Sequence, residues 1–302
     1  MKSIFSAFGQ TFLLRVITPG LFATIFIYSL FFSSTNNIHD SFLVLGLILL
    51  VSGIVLTMLD NIIYMYFEGR FLARYCHWVY DLGVQYWKCK VRNYYKKAIE
   101  IKRKKGIRHP KYLELRYWLR GFPVDDRMKP TAVSPTIIGN ILAASEDYSL
   151  RKYGMNSIFF FYRIWIVLDK DTKTEIDLNA AYMDSAIYTK FVLQIATITY
   201  FLLWILQITP VYDWLINKEI LKNLFIRWQE DYMLIFYCIG ALILRYFFHI
   251  LSIPLVRAKG EYFKSMFDVY RYKIEYMTTI SSKTTEKEKW MDTFNKLQSL
   301  TG

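Results

Sequence analysis

Residues 88–129 read KCKVRNYYKKAIEIKRKKGIRHPKYLELRYWLRGFPVDDRMK and form the most basic stretch of the chain. They contain fifteen Lys or Arg against four Asp or Glu, and so carry most of the chain's net charge of +13. Strongly apolar segments flank this stretch on both sides in the sequence. This order predicts a basic, water-exposed domain that is held between hydrophobic spans.

Four apolar segments have the length of a membrane span, namely residues 11–33, 41–59, 191–208 and 232–255. A helix of about 20 residues crosses a hydrocarbon core of about 30 Å. The 302 residues are 54% hydrophobic and 18% aromatic, which exceeds the usage of an average soluble domain. The sequence therefore predicts an all-α fold, a polytopic membrane protein with four transmembrane helices and a helical cytoplasmic domain.

The orientation follows from the distribution of positive charge. The short loops 34–40 and 211–231 carry none and three Lys or Arg, whereas residues 60–190 carry 23. The positive-inside rule then predicts a multi-pass protein with both termini and the central region in the cytoplasm. We divide the chain into residues 1–60, the first transmembrane hairpin; 61–190, the basic helical cytoplasmic domain; 191–256, the second transmembrane hairpin; and 257–302, a cytoplasmic helical tail.

Periodicity and capping residues predict the helices of the central domain. Aromatic residues spaced by three and four from residue 64 onward predict one amphipathic helix that continues from the second span and ends at Gly106. Thr136 has the character of an N-cap, and Gly154 that of a C-cap. The apolar segment 156–168 is too short for a span, which favours buried or interfacial packing.

Two glycines and one arginine stand out in the first hairpin. Gly46 and Gly53 offer small surfaces on which a neighbouring helix could pack closely. Arg15 lies one turn inside the first span, where its side chain could reach back to the membrane surface. These residues predict a tightly packed pair of antiparallel helices.

Arg245 and His249 lie inside the fourth span. Ionisable groups at that depth are costly, and they usually face protein or water. The spacing of four places both side chains on one helix face. We therefore predict that they line or brace a pore, or that they pair with Asp60. The structural alternatives are an arginine that extends to the surface and a hydrogen-bonded histidine.

The basic stretch predicts a surface for a polyanionic ligand. Lys and Arg would neutralise phosphates of a nucleic acid or nucleotide, and neighbouring aromatic rings could stack on bases. Contact with anionic lipid, or membrane topology alone, would give the same composition. The predicted ligand-binding residues are Lys96, Lys97, Lys102, Arg103, Lys104, Lys105, Arg108, Arg116, Arg151, Lys152 and Arg163.

No pattern in the sequence predicts catalysis. It contains no phosphate-binding loop, dinucleotide fingerprint, GxSxG or HExxH motif. The four histidines are dispersed, and the three cysteines form no CxxC pair. We predict no catalytic residue, no metal site and no cofactor. An enzyme acting on a lipid-linked substrate would need Glu146 or Asp147, but beside Arg151 and Lys152 these acids favour local ion pairs at a solvated helix end.

Residues 135–155 read PTIIGNILAASEDYSLRKYGM. This pattern, PTxxGNxLxAxEDYxxRKYG, resembles a group of largely uncharacterised bacterial four-span membrane proteins, as does RAKGEYFKSMFDVYR at residues 257–271. Ala143 stands where the group has Arg, and Phe161-Tyr162-Arg163 replaces its W-P-R. The resemblance implies an inner-membrane location. In architecture the chain is also similar to membrane channel effectors of anti-phage defence of the Hailong type.

These features together predict an oligomeric inner-membrane ion channel or membrane-disrupting effector of anti-phage defence. A nucleic acid or nucleotide on the basic domain would gate it. Four spans are few for a monomeric pore, so a channel implies a homo-oligomer with closed symmetry. The alternative is a membrane anchor or adaptor that conducts no ions and binds a protein partner or anionic lipid.

Overall fold

A computed structural model describes residues 9–31, 38–124, 131, 133–209, 231–275 and 285–299. The regular elements within these ranges are helices, as the all-α prediction requires. The predicted external loop 211–230 lies outside the described residues. After a π-helical turn at Leu13–Ile17, the helices are α1 (Thr18–Phe31), α2 (Ile38–Met58), α3 (Asp60–Glu68), α4 (Arg70–Tyr75), α5 (His77–Lys105), α6 (Pro110–Leu119), α7 (Ile137–Tyr153), α8 (Ser157–Val167), α9 (Lys170–Ile208), α10 (Asp231–Glu275) and α11 (Glu286–Ser299).

Three helices are long and apolar enough to cross a membrane: Gly9–Leu30, Lys170–Ile208 and Leu234–Ile274. A fourth span exists if α2 and α3 count as one, because Leu43–Met58 and Asp60–Glu68 pass the same test together but meet at a bend of 60°. The chain therefore has three to four helices of the kind found in membrane proteins.

The chain forms two compact units, and each is built from two separate pieces of sequence. The first unit comprises Met1–Ile63 and Ala180–Ser252, and the second comprises Tyr64–Asn179 and Ile253–Gly302. The boundaries at residues 180 and 253 fall inside the long helices α9 and α10.

Close packing of α1 on α2 organises the first unit. A Cβ on Gly53 would collide with the backbone oxygen of Val16, and one on Gly20 would collide with that of Leu49. The prediction of a close-packing surface is therefore confirmed at Gly53. It is wrong at Gly46, which has no neighbour within 4 Å.

The single helix predicted from residue 60 to residue 105 is wrong, since the structure has three helices there. Gly69 adopts a left-handed conformation (φ 85°) that ends α3, and Cys76 separates α4 from α5. A Cβ on Gly69 would collide with the ring of Pro135, so the chain turns where another segment packs against it. The predicted end of the helix is confirmed, because Gly106 caps α5.

Aromatic packing forms the core of the second unit. Phe160 and Ile164 of α8 are fully buried against Phe267 of α10 and Trp290 of α11. One face of segment 156–168 is thus buried, in agreement with the predicted buried or interfacial packing, while Ile158, Tyr162 and Ile166 on its other face are exposed. Both caps predicted for α7 are also present, because the Thr136 side chain accepts from the Gly139 N–H and Gly154 is left-handed.

Candidate functional site

The first unit contains a group of polar side chains within its apolar helices, which we call the polar cluster. Sequence reasoning identified Arg15, Arg245 and His249 but did not single out the members that α9 supplies. Those members, Asp184, Tyr188 and Lys190, share a seven-residue stretch of sequence, where charged and phenolic groups interrupt an otherwise apolar helix. The polar cluster consists of Arg15, Asp60, Asp184, Tyr188, Lys190, Arg245 and His249.

One part of the polar cluster is paired. The Arg15 Nε donates to Asp184 Oδ2 at 2.7 Å, and the Tyr188 hydroxyl donates to Asp60 Oδ1 at 2.7 Å. Asp184 and Tyr188 lie one turn apart and present their side chains on one face of α9. The prediction that Arg15 could reach the membrane surface stays a prediction. Its guanidinium links the π-helical turn to α9.

The other part of the polar cluster is basic. Contacts from Cys238 to the Thr197 carbonyl and between the rings of Tyr237 and Tyr200 align α9 and α10 antiparallel. This alignment places Arg245 opposite Lys190, which is only 5% exposed.

The three basic groups lie within electrostatic range of one another. Lys190 and Arg245 act on each other, and both act on His249. Within the described residues, Arg245 Nε and His249 Nδ1 are buried and have no hydrogen-bond partner. Asp60, the predicted partner of this pair, instead accepts from Tyr188. The structure thus groups three basic side chains where α9 meets α10.

The predicted ligand-binding residues fall into two groups, and the first lies on α5 and α6. Lys96 and Lys97 and the four cations at residues 102–105 are exposed on α5. In the described part of the chain, Lys104 is the member of this group with an ion pair, to Glu100 at 2.7 Å. Arg108 is exposed between the two helices, and Arg116 is half-buried on α6. We call the last three turns of α5 the basic end.

The second group of predicted ligand-binding residues is engaged by contacts within the second unit. Arg151 pairs with Asp147 at 2.7 Å, as the sequence predicts, and Lys152 lies 3.1 Å from the Asp268 carboxylate. Arg163 donates to the Phe159 carbonyl and stacks on the Phe159 ring at 3.9 Å. These contacts hold the three cations in α7 and α8 of the second unit.

The aromatic residues of α5 also divide into two groups. Trp87 and Tyr94 pack against Trp118 of α6, with ring centroids 6.3 and 4.3 Å apart. Trp78 and Tyr86 project outward and are more than half exposed. The inner rings therefore pack within the second unit, whereas the outer rings remain exposed.

The PTxxGN motif closes the end of α3. The Ser134 hydroxyl donates to the Glu68 carbonyl at 2.5 Å, and the Thr136 hydroxyl donates to the Phe67 carbonyl at 2.5 Å. The last carbonyls of a helix have no partner within the helix, so these bonds satisfy two of them. Gly139 has no room for a Cβ, because the Glu68 carbonyl occupies that position. We call these contacts the clasp.

Asn140 holds the clasp in shape. Its Oδ1 accepts from the Ser134 N–H at 2.8 Å, and its Nδ2 donates to the carbonyls of Ser134 and Thr136 at 2.8 and 2.6 Å. The side chain is fully buried, and its amide oxygen and nitrogen both have partners. Each of the defining residues of the PTxxGN motif thus has a local structural role.

The EDYxxRKYG motif supplies a second polar network. Asp268 of α10 accepts from the hydroxyls of Tyr148 and Tyr153 at 2.9 and 2.5 Å and from Lys152. Burial and the Asp268 hydrogen bond raise the pKa of Tyr153 to about 12. The Lys152 ammonium donates hydrogen bonds to the tyrosine hydroxyls, and these bonds raise its pKa. Both groups keep their protons throughout the neutral range, so the network connects helices and exchanges no protons there.

A cleft of about 530 Å³ lies beside α7. Desolvation by the surrounding protein raises the pKa of the Glu146 carboxyl. The positive charges of Arg70 and Lys259 lower this pKa, but by less than desolvation raises it. Ala143 lines this cleft at the position where the resembling family has Arg. The lining residues are Pro123, Thr131, Ala143, Glu146, Asp147, Leu150, Arg151, Asn156, Ser157 and Ile158.

Among the described residues, no three His, Cys, Asp or Glu side chains are grouped closely enough to hold a metal ion. No family model, curated protein or solved structure matches the chain. The resemblance to the bacterial four-span proteins therefore stays a prediction.

Proposed function

We propose that this chain is the subunit of an oligomeric ion channel, or membrane-disrupting effector, of the bacterial inner membrane. The observation that carries the proposal is the polar cluster, which places seven polar side chains within the apolar helices of the first unit. A helix that serves only as an anchor does not require such groups, because each one makes the free energy of membrane insertion less favourable. A pathway for ions does need them.

The basic part of the polar cluster favours anions over cations. Lys190, Arg245 and His249 are grouped, whereas Asp184 is neutralised by Arg15. Channels that conduct anions are commonly lined by Arg or Lys. The proposed selectivity is therefore for small anions such as chloride.

The exposed surfaces of the candidate spans support an oligomer. In a single chain, only 28%, 22% and 11% of the three span windows is buried within the protein. The least buried window belongs to α10, the helix that carries Arg245 and His249. Lipid or further copies must cover the rest, and copies arranged with closed symmetry would enclose a pore.

The basic end of α5 is the proposed ligand-binding surface. Its exposed cations would contact the phosphates of a nucleic acid or nucleotide. Binding opens the channel only if the open assembly holds the ligand more tightly than the closed one. In this proposal the basic end faces the cytoplasm, both termini are cytoplasmic, and no residue is catalytic. A role in anti-phage defence is part of the proposal through the similarity to membrane channel effectors.

Flux measurements on the full chain in vesicles test this function. We expect chloride flux that exceeds potassium flux, and a loss of flux in the variant Arg245→Gln/His249→Gln. Reversing the charge of residues 102–105 to Glu should abolish activation by added oligonucleotide while leaving membrane insertion intact. Lys170→Glu, which reverses a charge at an exposed position of α9 outside both sites, is the control.

The alternative is a membrane adaptor, and a specific observation favours it. The basic end is exposed and, within the described chain, almost free of ion pairs, as an interaction surface for an acidic partner would be. An adaptor passes neither chloride nor potassium under any ligand condition. If flux is absent while oligonucleotide or lipid binding is retained, the channel hypothesis is rejected in favour of the adaptor.

A further inference from the structure

The outward side of α4 and α5 carries a row of large side chains that no part of the second unit covers. Trp78, Leu82 and Tyr86 follow one another at intervals of four along α5 and are 69%, 58% and 57% exposed. Tyr75 at the end of α4 is 61% exposed. We call these four residues the outer row. A soluble surface rarely presents such residues together.

The opposite side of α5 is already packed. Val91 is fully buried, and Ala98 is 4% exposed. A Cβ on Gly83 would collide with Pro135, so this face also approaches the clasp closely. The outer row is therefore not an unfinished part of the unit's own core, and its partner lies outside the unit.

Cations accompany the rings of the outer row. The Lys90 ammonium lies 5.3 Å from the ring centre of Tyr86 and 4.8 Å from that of Trp87. The Arg74 guanidinium lies 5.6 Å from the ring centre of Tyr75. Aromatic residues with a polar edge, next to Lys and Arg, are the combination that occupies the headgroup region of a bilayer.

We propose that the outer row lies in the headgroup layer of a bilayer containing anionic lipids. Trp78 and Leu82 reach the acyl boundary, and Arg74 and Lys90 contact lipid phosphates. The position in the chain agrees with this placement, because α4 begins two residues after Glu68, the end of the fourth candidate span. This surface is separate from the basic end, and its role does not depend on ion conduction.

A second copy of the chain is a poorer occupant of the outer row. Helix α5 carries nine Lys or Arg against two acids, Asp81 and Glu100. Two such helices brought face to face would repel each other, and like charges at close range oppose association. Anionic headgroups instead attract Lys and Arg side chains near the membrane surface.

Fluorescence quenching in the full chain tests the proposal. Cys76, Cys89 and Cys238 are replaced by Ser, and an environment-sensitive fluorophore is attached at Leu82→Cys or, in a second protein, at Trp78→Cys. The matched control is Lys97→Cys, which lies about four turns further along a similar face of α5. The proteins are reconstituted into vesicles of phosphatidylcholine and phosphatidylglycerol with or without bromine on the acyl chains.

We expect brominated chains to remove roughly half of the emission at residues 78 and 82 and almost none at residue 97. Equal emission with both kinds of lipid at residues 78 and 82 overturns the proposal. A shielded, unquenched label that becomes exposed when the protein is diluted identifies a second copy as the occupant, and this also overturns it.

The anionic part of the proposal has its own readout. Leaving out phosphatidylglycerol, or substituting Arg74→Glu and Lys90→Glu together, should reduce the quenching at residue 82. If quenching is the same in all of these conditions, the outer row contacts the bilayer only through its apolar side chains. This result contradicts the proposed role of lipid phosphates.

Discussion

Arg15 and Asp184, which are 169 positions apart in the sequence, form an ion pair with 2.7 Å between Nε and Oδ2. Only 9% of the Asp184 side chain is exposed, so loss of either partner leaves a charge poorly solvated. We expect Asp184→Asn and Arg15→Gln each to lower the free energy of unfolding by about 3 kcal/mol. Chemical unfolding of the full chain in detergent micelles measures this loss.

The double variant separates a direct interaction from two independent effects. If the ion pair carries the energy, Arg15→Gln/Asp184→Asn should be little less stable than either single variant. Losses that simply add would contradict a direct interaction.

Substitution of Gly53 should disturb the first hairpin. Gly53→Ala places a methyl group against the Val16 carbonyl, so we expect α1 and α2 to separate and the unfolding temperature to fall. Gly46→Ala is the control on the same helix, because it adds the same methyl group where nothing lies within 4 Å. Equal effects at both positions would show that helix propensity, and not the close contact, determines the result.

The clasp should depend on both ends of the Asn140 amide. Asn140→Asp keeps the size and one acceptor but places a carboxylate against the carbonyls of Ser134 and Thr136, so we expect a loss of about 3 kcal/mol in the free energy of unfolding. Asn93→Asp, on the exposed side of α5, should change it by less than about 0.5 kcal/mol. An unaffected Asn140→Asp variant would exclude the clasp as a stabilising element.

The network around Asp268 predicts a loss of stability in alkaline solution. The pKa of Tyr153 is raised from its ordinary value near 10 to about 12, so its contribution is complete below pH 10. It disappears as the pH rises toward 12, because the unfolded tyrosine ionises first. Lys152, whose pKa is also raised, changes in the same direction. The unfolding temperature should therefore fall between pH 10 and pH 12.

The variant Tyr153→Phe identifies the group responsible. It should be less stable than the parent at neutral pH, since it lacks the hydrogen bond to Asp268, and the difference should shrink as the pH rises through this window. Tyr162→Phe, at an exposed position of α8, should follow the parent curve. A constant difference between parent and Tyr153→Phe would contradict the raised pKa.

Local features of the sequence predicted local features of the fold. Thr136, Gly106 and Gly154 are caps because each acts within one turn of its own helix. The break at Gly69 was missed, since its cause is Pro135, more than sixty residues later. The ion pair of Arg15 was not predictable for the same reason, because Asp184 is remote in sequence.

The candidate site shows the same limit. The sequence alone indicates that Arg245 and His249 are energetically costly groups inside an apolar helix. It does not indicate that Lys190 is their neighbour, because the predicted third span begins only at residue 191. Only the antiparallel alignment of α9 and α10 reveals that the three basic groups meet. Spacing within one helix contains no information about the register of the next.

The composition of the core in the second unit has a consequence for biosynthesis. Phe160 and Ile164 pack against Phe267, which the ribosome adds more than a hundred residues later, after the apolar parts of α9 and α10. The buried face of α8 therefore has no partner on α10 while those segments are being synthesised. A nascent chain of this protein exposes this apolar surface of α8 until α10 has been made.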